Sequence, residues 1–276
     1  MLSRLLLVAA LLCISGGARA WNAQGHAAVA AIAEAQLSPA ALRQVSALLV
    51  EDLDRKEKSS GRKHLSEIAS WPDEIRDEAV KTDPAAYKGW HVRSNQICSE
   101  QLGACRDGNC VDQLIIRYAA VLADRSQPHR ARNEALKWVV HLLGDLHMPL
   151  HSGVNRNGGG AKVLVTGMSL KPDDTFHTVW DGVLLNAALA GWTRKSQPVS
   201  RGLLAVDSPT QWMIETRDLA RREVYEPLPG FSCDAKLSEP IVLDLAYQQH
   251  SVAVIRAQIE RAGLRLAQLL NQLLAD

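Results

Sequence analysis

The stretch that decides the fold of this chain is HLLGDLHMPLH, residues 141–151, which ends a run of apolar residues with helical spacing. His141 and Asp145 are four residues apart, so a helix places both side chains on one face. Pro149 cannot continue the helical hydrogen-bond ladder and disfavours a helical residue before it. We therefore expect the helix to end at 146–148 and to bring His151 to its C-terminal end.

This stretch has the residue types of a zinc site, because it places a histidine, a carboxylate and another histidine around one helical turn. A buried His–Asp hydrogen bond accompanied by loop histidines is the alternative. The segment FHTVWD, residues 176–181, repeats the spacing with His177 and Asp181. An unpaired buried carboxylate or imidazolium is costly, and a cation relieves that cost. Two copies of the pattern therefore favour metal binding.

Residues 1–20 have the features of a secretory signal peptide. Arg4 gives a basic start, an apolar run follows, and Ala18-Arg19-Ala20 matches the A-x-A cleavage signal. Cleavage after Ala20 would leave a mature domain of residues 21–276, exported to the periplasm or secreted. No later segment is apolar for about eighteen residues, the length a membrane span requires, so we expect no membrane insertion.

The charge balance argues against a protein that binds duplex nucleic acid through an overall positive charge. Removing Arg4 and Arg19 with residues 1–20 lowers the formal net charge from +1 to −1. A duplex-binding protein that works by counterion release should be clearly basic. A phosphate substrate would therefore be attracted locally, by bound cations. No feature indicates a protein partner, and we expect a monomer.

Four cysteines remain once Cys13 leaves with the signal peptide, which suggests two disulfides in an exported protein. CRDGNC, residues 105–110, contains a turn signal and would close a small loop through Cys105–Cys110. That pairing leaves Cys98 for Cys233. Thiolate zinc ligation is the alternative, but the chain lacks a Cys-x-x-Cys pair and an oxidising compartment disfavours it.

Apolar periodicity predicts a chain that is helical almost throughout. Apolar and polar residues alternate over Ala161–Thr166, which predicts one short strand. The glycine-rich stretch Ser152–Gly160 predicts a loop. The fold class is therefore all-α: a mainly helical single domain, disulfide-stabilised, with at most one short strand or hairpin. The predicted helices are Gly25–Leu37, one starting at Ser38-Pro39, Leu65–Val80 with a break at Pro72, Val111–Arg125, Asn133–Met148, Thr175–Leu189, Ser208–Tyr225 and Leu243–Leu274.

The new N-terminus offers another set of metal ligands. The free amine of Trp21 and its own carbonyl oxygen can chelate a cation as a five-membered ring, with His26 as a third ligand. A tryptophan and a histidine near a terminus are more often core and surface residues. Signal cleavage after Ala20 would nevertheless create this ligand set.

Taken together, these segments resemble the zinc-dependent single-strand-specific nucleases of type I, the S-one/P-one nucleases, which are also 3′-nucleotidases. The matching segments follow the family's order, and the four cysteines match its pattern, which implies the disulfides Cys105–Cys110 and Cys98–Cys233. The segments are WNAQGH (21–26), WPDEIR (71–76), WH (90–91), HLLGDLHMPLH (141–151) and HTVWD (177–181).

The resemblance implies a helical fold with three zinc ions in a cleft, each held by residues that match the family's motifs. The catalytic residues would be Asp73, Arg76 and Asp145, with Arg76 donating to the phosphoryl group. A second reading of Arg76 is an exposed ion pair with Asp73. The implied zinc ligands are Asp73, His91, His141 and Asp145 for one ion; Trp21 and His26, with Asp145 and a hydroxide as bridges, for its neighbour; and His151, His177 and Asp181 for the third.

The resemblance also implies the reaction. The enzyme would hydrolyse single-stranded RNA and DNA to 5′-phosphorylated products and remove the phosphate of 3′-nucleotides, by attack of the zinc-bridging hydroxide on phosphorus. One alternative is a zinc phospholipase C, although that family usually has Glu at the position of Asp181. Another is a non-catalytic exported metal-binding module, which would have closed zinc sites.

Overall fold

The computed structural model describes residues 21–167, 169–193, 202 and 204–275. The predicted signal peptide, residues 1–20, lies outside them. The described chain is mainly helical, which confirms the predicted fold class. Its α-helices are α1 (Ala23–Glu34), α2 (Pro39–Leu49), α3 (Leu65–Ile68), α4 (Trp71–Ala79), α5 (Val111–Ala123), α6 (His129–His147), α7 (Pro149–Ser152), α8 (Phe176–Thr178), α9 (Leu184–Leu189), α10 (Ser208–Leu219) and α11 (Leu245–Leu273).

The helices begin at the residues that local chemistry favours. The Ser38 hydroxyl accepts from the N–H of Ala41, 3.1 Å away, and Pro39 opens α2. Ala69 and Ser70 separate α3 from α4, with Pro72 in the first turn of α4. The predicted break in that region is confirmed, because proline is tolerated only where its missing N–H is not needed.

Two helices predicted as regular contain π-helical turns. Val179–Val183 separates α8 from α9, and Ala220–Tyr225 extends α10. A π turn inserts one residue without changing the apolar character of the segment, so the periodicity does not reveal it. The first π turn carries Asp181, one of the predicted metal ligands.

The prediction of at most one short strand or hairpin is wrong in its detail. The described residues contain two parallel two-stranded sheets, in which β1 (Asn95–Gln96) pairs with β2 (Gly153–Val154) and β3 (Val165–Gly167) pairs with β4 (Ile241–Leu243). The predicted strand Ala161–Thr166 overlaps β3 at Val165 and Thr166, whereas the other three strands, of two or three residues, are too short to show an alternating pattern. Each pairing also joins segments far apart in the sequence, so local residue patterns could not indicate it.

Helix α6 runs through the middle of the core. Its residues Ala135 to His147 are all buried, and the helix packs against α5, α11 and α1. The longest helix, α11, also covers α1 and α9. No helix in the described ranges, α11 included, is long and apolar enough to cross a membrane. The central place of α6 puts His141 and Asp145 in the interior.

Two disulfides join the loops. Cys105–Cys110 closes a small loop around a 3₁₀ turn, and Cys98–Cys233 ties the segment after β1 to the loop before β4. These are the two pairs that the sequence suggests. The second links residues 135 positions apart, so it holds the middle of the chain against its C-terminal part.

Candidate metal centre

The predicted ligands that carry a histidine or aspartate side chain meet in three neighbouring clusters. In each cluster the possible ligand atoms lie within 4.8 Å of one another. All of these side chains are buried except Asp73, which is partly buried. The first cluster contains Asp73, His91 and His141; the second contains His26, His141 and Asp145; the third contains His151, His177 and Asp181.

The fold collects these side chains from separate elements. Helix α6 supplies His141 and Asp145, one turn apart on its buried face, as the four-residue spacing predicts. The other elements converge on that face. They contribute His26 from α1, Asp73 from α4, His91 from the loop before β1, His151 from α7, His177 from α8 and Asp181 from the π turn after it.

Asp145 lies at the junction of the clusters. Its Oδ2 is 2.9 Å from His91 Nδ1 and 3.1 Å from His141 Nε2. Its Oδ1 is 3.5 Å from His26 Nε2 and 3.5 Å from His151 Nδ1. One carboxylate therefore faces histidines of all three clusters, with each oxygen on a different side, as a bridging ligand requires.

Backbone carbonyls orient three of the imidazoles. The Nδ1 of His141 lies 2.7 Å from the carbonyl oxygen of Ala69, and the Nδ1 of His177 lies 2.7 Å from that of Gly159. The Nδ1 of His151 lies 3.0 Å from the carbonyl oxygen of His91. A carbonyl only accepts, so these contacts place a proton on Nδ1 of each ring and turn Nε2 toward the clusters.

The third cluster fits a cation. The Nε2 atoms of His151 and His177 face each other at 3.2 Å, and His177 Nε2 is 3.2 Å from Asp181 Oδ2. Burial lowers the pKa of His151 to about 3 and also lowers the pKa of His177, so both rings are neutral near pH 7. Within the described residues neither carboxylate oxygen of Asp181 has a hydrogen bond. Acceptors that face each other in a buried space need a proton or a cation between them.

The surroundings of the two buried carboxylates, Asp145 and Asp181, shift their pKa values in opposite directions. Burial would raise the pKa of Asp145, but the charges and hydrogen bonds of His141 and His91 outweigh burial and hold this pKa well below its usual value. Burial, together with the negative charges of Asp145 and Asp73, raises the pKa of Asp181 well above its usual value. Asp181 is thus the carboxylate that lacks positive charge, which a bound cation would supply.

Arg76 lies beside the first cluster. Its Nη1 is 2.7 Å from Asp73 Oδ1, and its Nη2 is 3.0 Å from Asp77 Oδ1. The ion pair expected from the spacing is present, but it is not on the surface, because the Arg76 and Asp73 side chains are each only 13% exposed. A guanidinium has five N–H donors, so further donors remain for a phosphate oxygen.

Comparison with known proteins places the chain in a family. The family model described as S1/P1 Nuclease matches residues 21–275. The chain belongs to the S1/P1 nuclease family. It is therefore a nuclease, a phosphodiesterase whose substrate is nucleic acid, and the three His/Asp clusters fit a trinuclear metal site. The family named from the sequence motifs is confirmed.

Curated relatives of this S1/P1 nuclease come from plants and fungi. Endonuclease 4 of Arabidopsis thaliana is 26% identical over 286 residues, which cover 94% of this chain and 91% of that protein. Nuclease P1 of Penicillium citrinum is 29% identical over 174 residues, covering 62% of this chain and 60% of that protein. Nuclease S1 of Aspergillus oryzae is 26% identical over 189 residues, which cover 67% of this chain and 61% of that protein. The similarity to the plant protein extends over nearly the whole chain.

The structure adds residues to the site of this S1/P1 nuclease that sequence reasoning missed. A Cβ on Gly144 would lie 2.7 Å from Nδ1 of His26, so only glycine lets α6 approach that ring. Gly159 has a φ of +35° and directs its carbonyl to His177. The glycine between His141 and Asp145 was visible in the motif, but the carbonyl contacts have no signal in the sequence.

Trp21, the remaining predicted ligand, is fully buried at the start of the described chain. A Cβ placed on Gly25 would lie 2.8 Å from Trp21 Cβ, so Trp21 packs against the first turns of α1. The same helix carries His26. The part of Trp21 in metal binding stays a prediction, since it depends on an amine that cleavage after Ala20 would create.

Proposed function

We propose that this S1/P1 nuclease is an exported, zinc-dependent endonuclease specific for single strands. It would release 5′-phosphorylated products from RNA and DNA and act as a 3′-nucleotidase. The observation that carries the proposal is the position of Asp145, whose two oxygens face histidines of all three clusters. The mature chain would begin at Trp21 and form one domain over residues 21–276.

The proposed ligand sets follow the clusters, except that Trp21 joins the second set and His141 is assigned to the first ion alone. Asp145 would belong to the ligand sets of both the first and the second ion, and Trp21 would contribute its amine and carbonyl to the second. Imidazole and carboxylate donors in this proportion suit zinc, which binds nitrogen and oxygen ligands in tetrahedral or open sites. The sets are Asp73, His91, His141 and Asp145; Trp21, His26 and Asp145; and His151, His177 and Asp181.

The chain's own residues position the substrate phosphate. Bound cations would activate a water molecule and offset charge on the phosphodiester. Arg76 would donate two parallel N–H groups to phosphate oxygens, for which a planar guanidinium is suited. Asp73 and Asp77 accept from the same guanidinium and so fix the plane in which it presents those donors. Asp73 would thereby both orient Arg76 and bind the first ion.

Charge supports local recognition of the phosphate. Without residues 1–20 the formal net charge is −1, so long-range attraction to a duplex is weak. The three carboxylates of the clusters offset half of the charge of three divalent cations, which leaves a positive site for one phosphodiester. A flexible single strand can bend its backbone into such a buried site more easily than a stiff duplex.

The test uses the mature protein that begins at Trp21. Zinc content is measured, followed by cleavage of single-stranded DNA, single-stranded RNA, duplex DNA and a 3′-nucleotide, with and without a chelator. We expect about three zinc ions per chain, cleavage of both single strands but not of the duplex, and recovery when zinc is added back. Phosphatidylcholine hydrolysis without nucleic-acid cleavage would overturn the proposal, as would a protein that binds no zinc.

A further inference from the structure

Asn22, the second residue of the proposed mature chain, connects two of the clusters. Its backbone N–H donates to the carbonyl oxygen of Asp181 at 3.1 Å, and its Nδ2 donates to Asn186 Oδ1 at 2.8 Å. Its Oδ1 accepts from the N–H groups of Gln24 and Gly25 at 3.0 and 3.3 Å. Asn22 therefore caps α1 with one side-chain atom and holds α9 with the other.

These contacts join the helix that carries His26 to the segment that carries Asp181. Asp181 takes part through both its backbone and its side chain. Its carbonyl oxygen accepts a hydrogen bond from Asn22, while its carboxylate belongs to the third cluster. Asn186 lies in α9, directly after the π turn that contains Asp181. A shift of Asn22 would therefore move α1 relative to the third cluster.

His26 depends on this helix placement more than the other histidines do. Carbonyl oxygens hold the rings of His141, His151 and His177. In the described chain neither ring nitrogen of His26 has a hydrogen-bond partner, and its ring is held by stacking on His141, with centroids 3.9 Å apart. Since no carbonyl orients His26, its position is set by where α1 lies.

The packing around Gly25 leaves little room for α1 to move. A Cβ on Gly25 would lie 2.8 Å from Cδ2 of Leu185 and 2.8 Å from Cβ of Trp21. Helices α1 and α9 thus approach closely next to the contact between Asn22 and Asn186. This close approach places the polar contact at the point where α1 meets the segment that carries Asp181.

We propose that Asn22 and Asn186 form a clamp that positions Trp21 and His26 and thereby sets the affinity of the ion they hold. The inference rests on the proposed function of Trp21 and His26 as ligands. Both asparagines are positioning residues, since neither belongs to a cluster. Substituting a residue that orients a metal ligand lowers metal affinity by about tenfold to a hundredfold. The clamp contact is exposed, so we expect the lower end of that range.

The test variant is Asn186→Ala, which breaks the clamp without changing the cap of α1. Alanine favours a helix more than asparagine does, so the metal-free protein should unfold at the same or a higher temperature. We expect the affinity of one zinc ion to fall about tenfold, while the other ions stay bound. A purely structural role would not lower zinc affinity while leaving the metal-free protein unchanged.

A second variant, Asn22→Ser, keeps a good capping oxygen and removes the Nδ2 donor. Its affinity for that zinc ion should fall by the same factor as in Asn186→Ala. The double variant should be no worse than either single variant, because both remove one interaction. The measurements are zinc affinities by competition with a chelating dye, and thermal unfolding in chelator and in zinc. Intact mass confirms that each variant begins at Trp21.

Asn271→Ala is the matched control. Asn271 holds the turn between α1 and α2, where its Oδ1 accepts from the N–H of Ser38 at 2.7 Å and its Nδ2 donates to the carbonyl oxygen of Gln36 at 3.0 Å. This variant should unfold at a lower temperature by the same amount in chelator and in zinc, with zinc affinities unchanged.

The outcomes separate the clamp from the proposed function. A wild-type protein that binds fewer than three zinc ions would contradict the proposed metal centre. If the wild type binds three and both clamp variants keep the same affinities, the clamp is overturned and the metal centre stands. Reduced zinc affinity in the Asn271→Ala control as well would also overturn it, because any loosening of α1 would then have the same effect.

Discussion

Helix α6 carries two buried polar centres that differ in whether the chain completes them. Lys137, His141 and Asp145 lie at intervals of four residues on one face, and all are buried. Lys137 Nζ is 2.8 Å from Asp52 Oδ1 and 3.0 Å from the carbonyl oxygen of Leu53, and it lies 4.0 Å from the centroid of the Trp71 ring. The charges at this end of the helix are paired.

The other end of the same face is left open. Asp145 Oδ1 has no hydrogen bond within the described residues, and the same holds for both oxygens of Asp181. The acceptors of His151 and His177 face each other. In a closed centre such as Lys137–Asp52 the chain itself pairs the buried charges, whereas an open centre keeps its acceptors for a ligand. The difference marks the end of the helix that we propose as the functional one.

Asp145→Asn should have the largest effect, because it weakens the proposed bridging group of the open centre. We expect zinc content to fall below three per chain and the initial rate on single-stranded DNA to fall about a thousandfold or more, since metal ions supply several kcal/mol to such reactions. Metal analysis and a rate assay at saturating substrate check this. Full zinc content with an unchanged rate would show that Asp145 is not a bridge.

Lys137→Met tests the closed centre. It leaves the Asp52 carboxylate buried without its partner, which typically costs about 3–5 kcal/mol of unfolding free energy. The loss should appear equally with and without zinc in urea unfolding, while folded protein keeps its zinc and its rate. The double variant Asp52→Asn with Lys137→Met should recover much of the loss. A loss of stability confined to the zinc-bound protein would mean that the two centres are not independent.

Gly144→Ala changes the open centre without removing a ligand. The added Cβ would meet Nδ1 of His26 at 2.7 Å and push the ring away from Asp145. We expect about tenfold to hundredfold weaker zinc binding at the second cluster. Alanine also gains about 1 kcal/mol of helix propensity over glycine, so the metal-free protein should lose little stability. Unchanged zinc affinity would show that the His26 ring can move without cost.

His147, the last residue of α6, gives the smallest effect. Its Nδ1 donates to the carbonyl oxygen of Leu143 and its Nε2 accepts from Arg265. Burial, with the charge of Arg265, lowers the pKa of His147 to about 3. The ring thus stays neutral in the folded protein, while the unfolded chain takes up a proton below about pH 6.5. Stability therefore falls as pH falls, by about 1.4 kcal/mol per pH unit for this histidine.

His147→Gln should make the unfolding free energy of the metal-free protein less steep between pH 6 and pH 4 by that amount per pH unit. Urea unfolding at several pH values measures the slope. His26 and His151 also have pKa values lowered to about 3 by burial, so some slope should remain in the variant. Identical slopes in wild type and variant would contradict the neutral assignment of His147.

Much of the fold and site could be predicted because local patterns encode it. The four-residue spacing of His141 and Asp145 follows from helical geometry alone, and Pro149 ends that helix close to the expected position. The pairing of the short strands, the π turn at Asp181 and the contact between Asn22 and Asn186 were not predictable. Each depends on segments that lie far apart in the sequence or on a change too small to alter apolar spacing.

The sequence by itself determined the helical class, the family and the residue types of the site, because side-chain identity and spacing are local properties. Only the tertiary structure decided which acceptors face each other, and which carbonyls orient His141, His151 and His177. A backbone carbonyl is the same group in every residue, so its part in a site has no sequence signal. The packing of helices around α6 decides which carbonyls contact the imidazoles. The same packing decides which end of α6 is the closed centre and which is the open one.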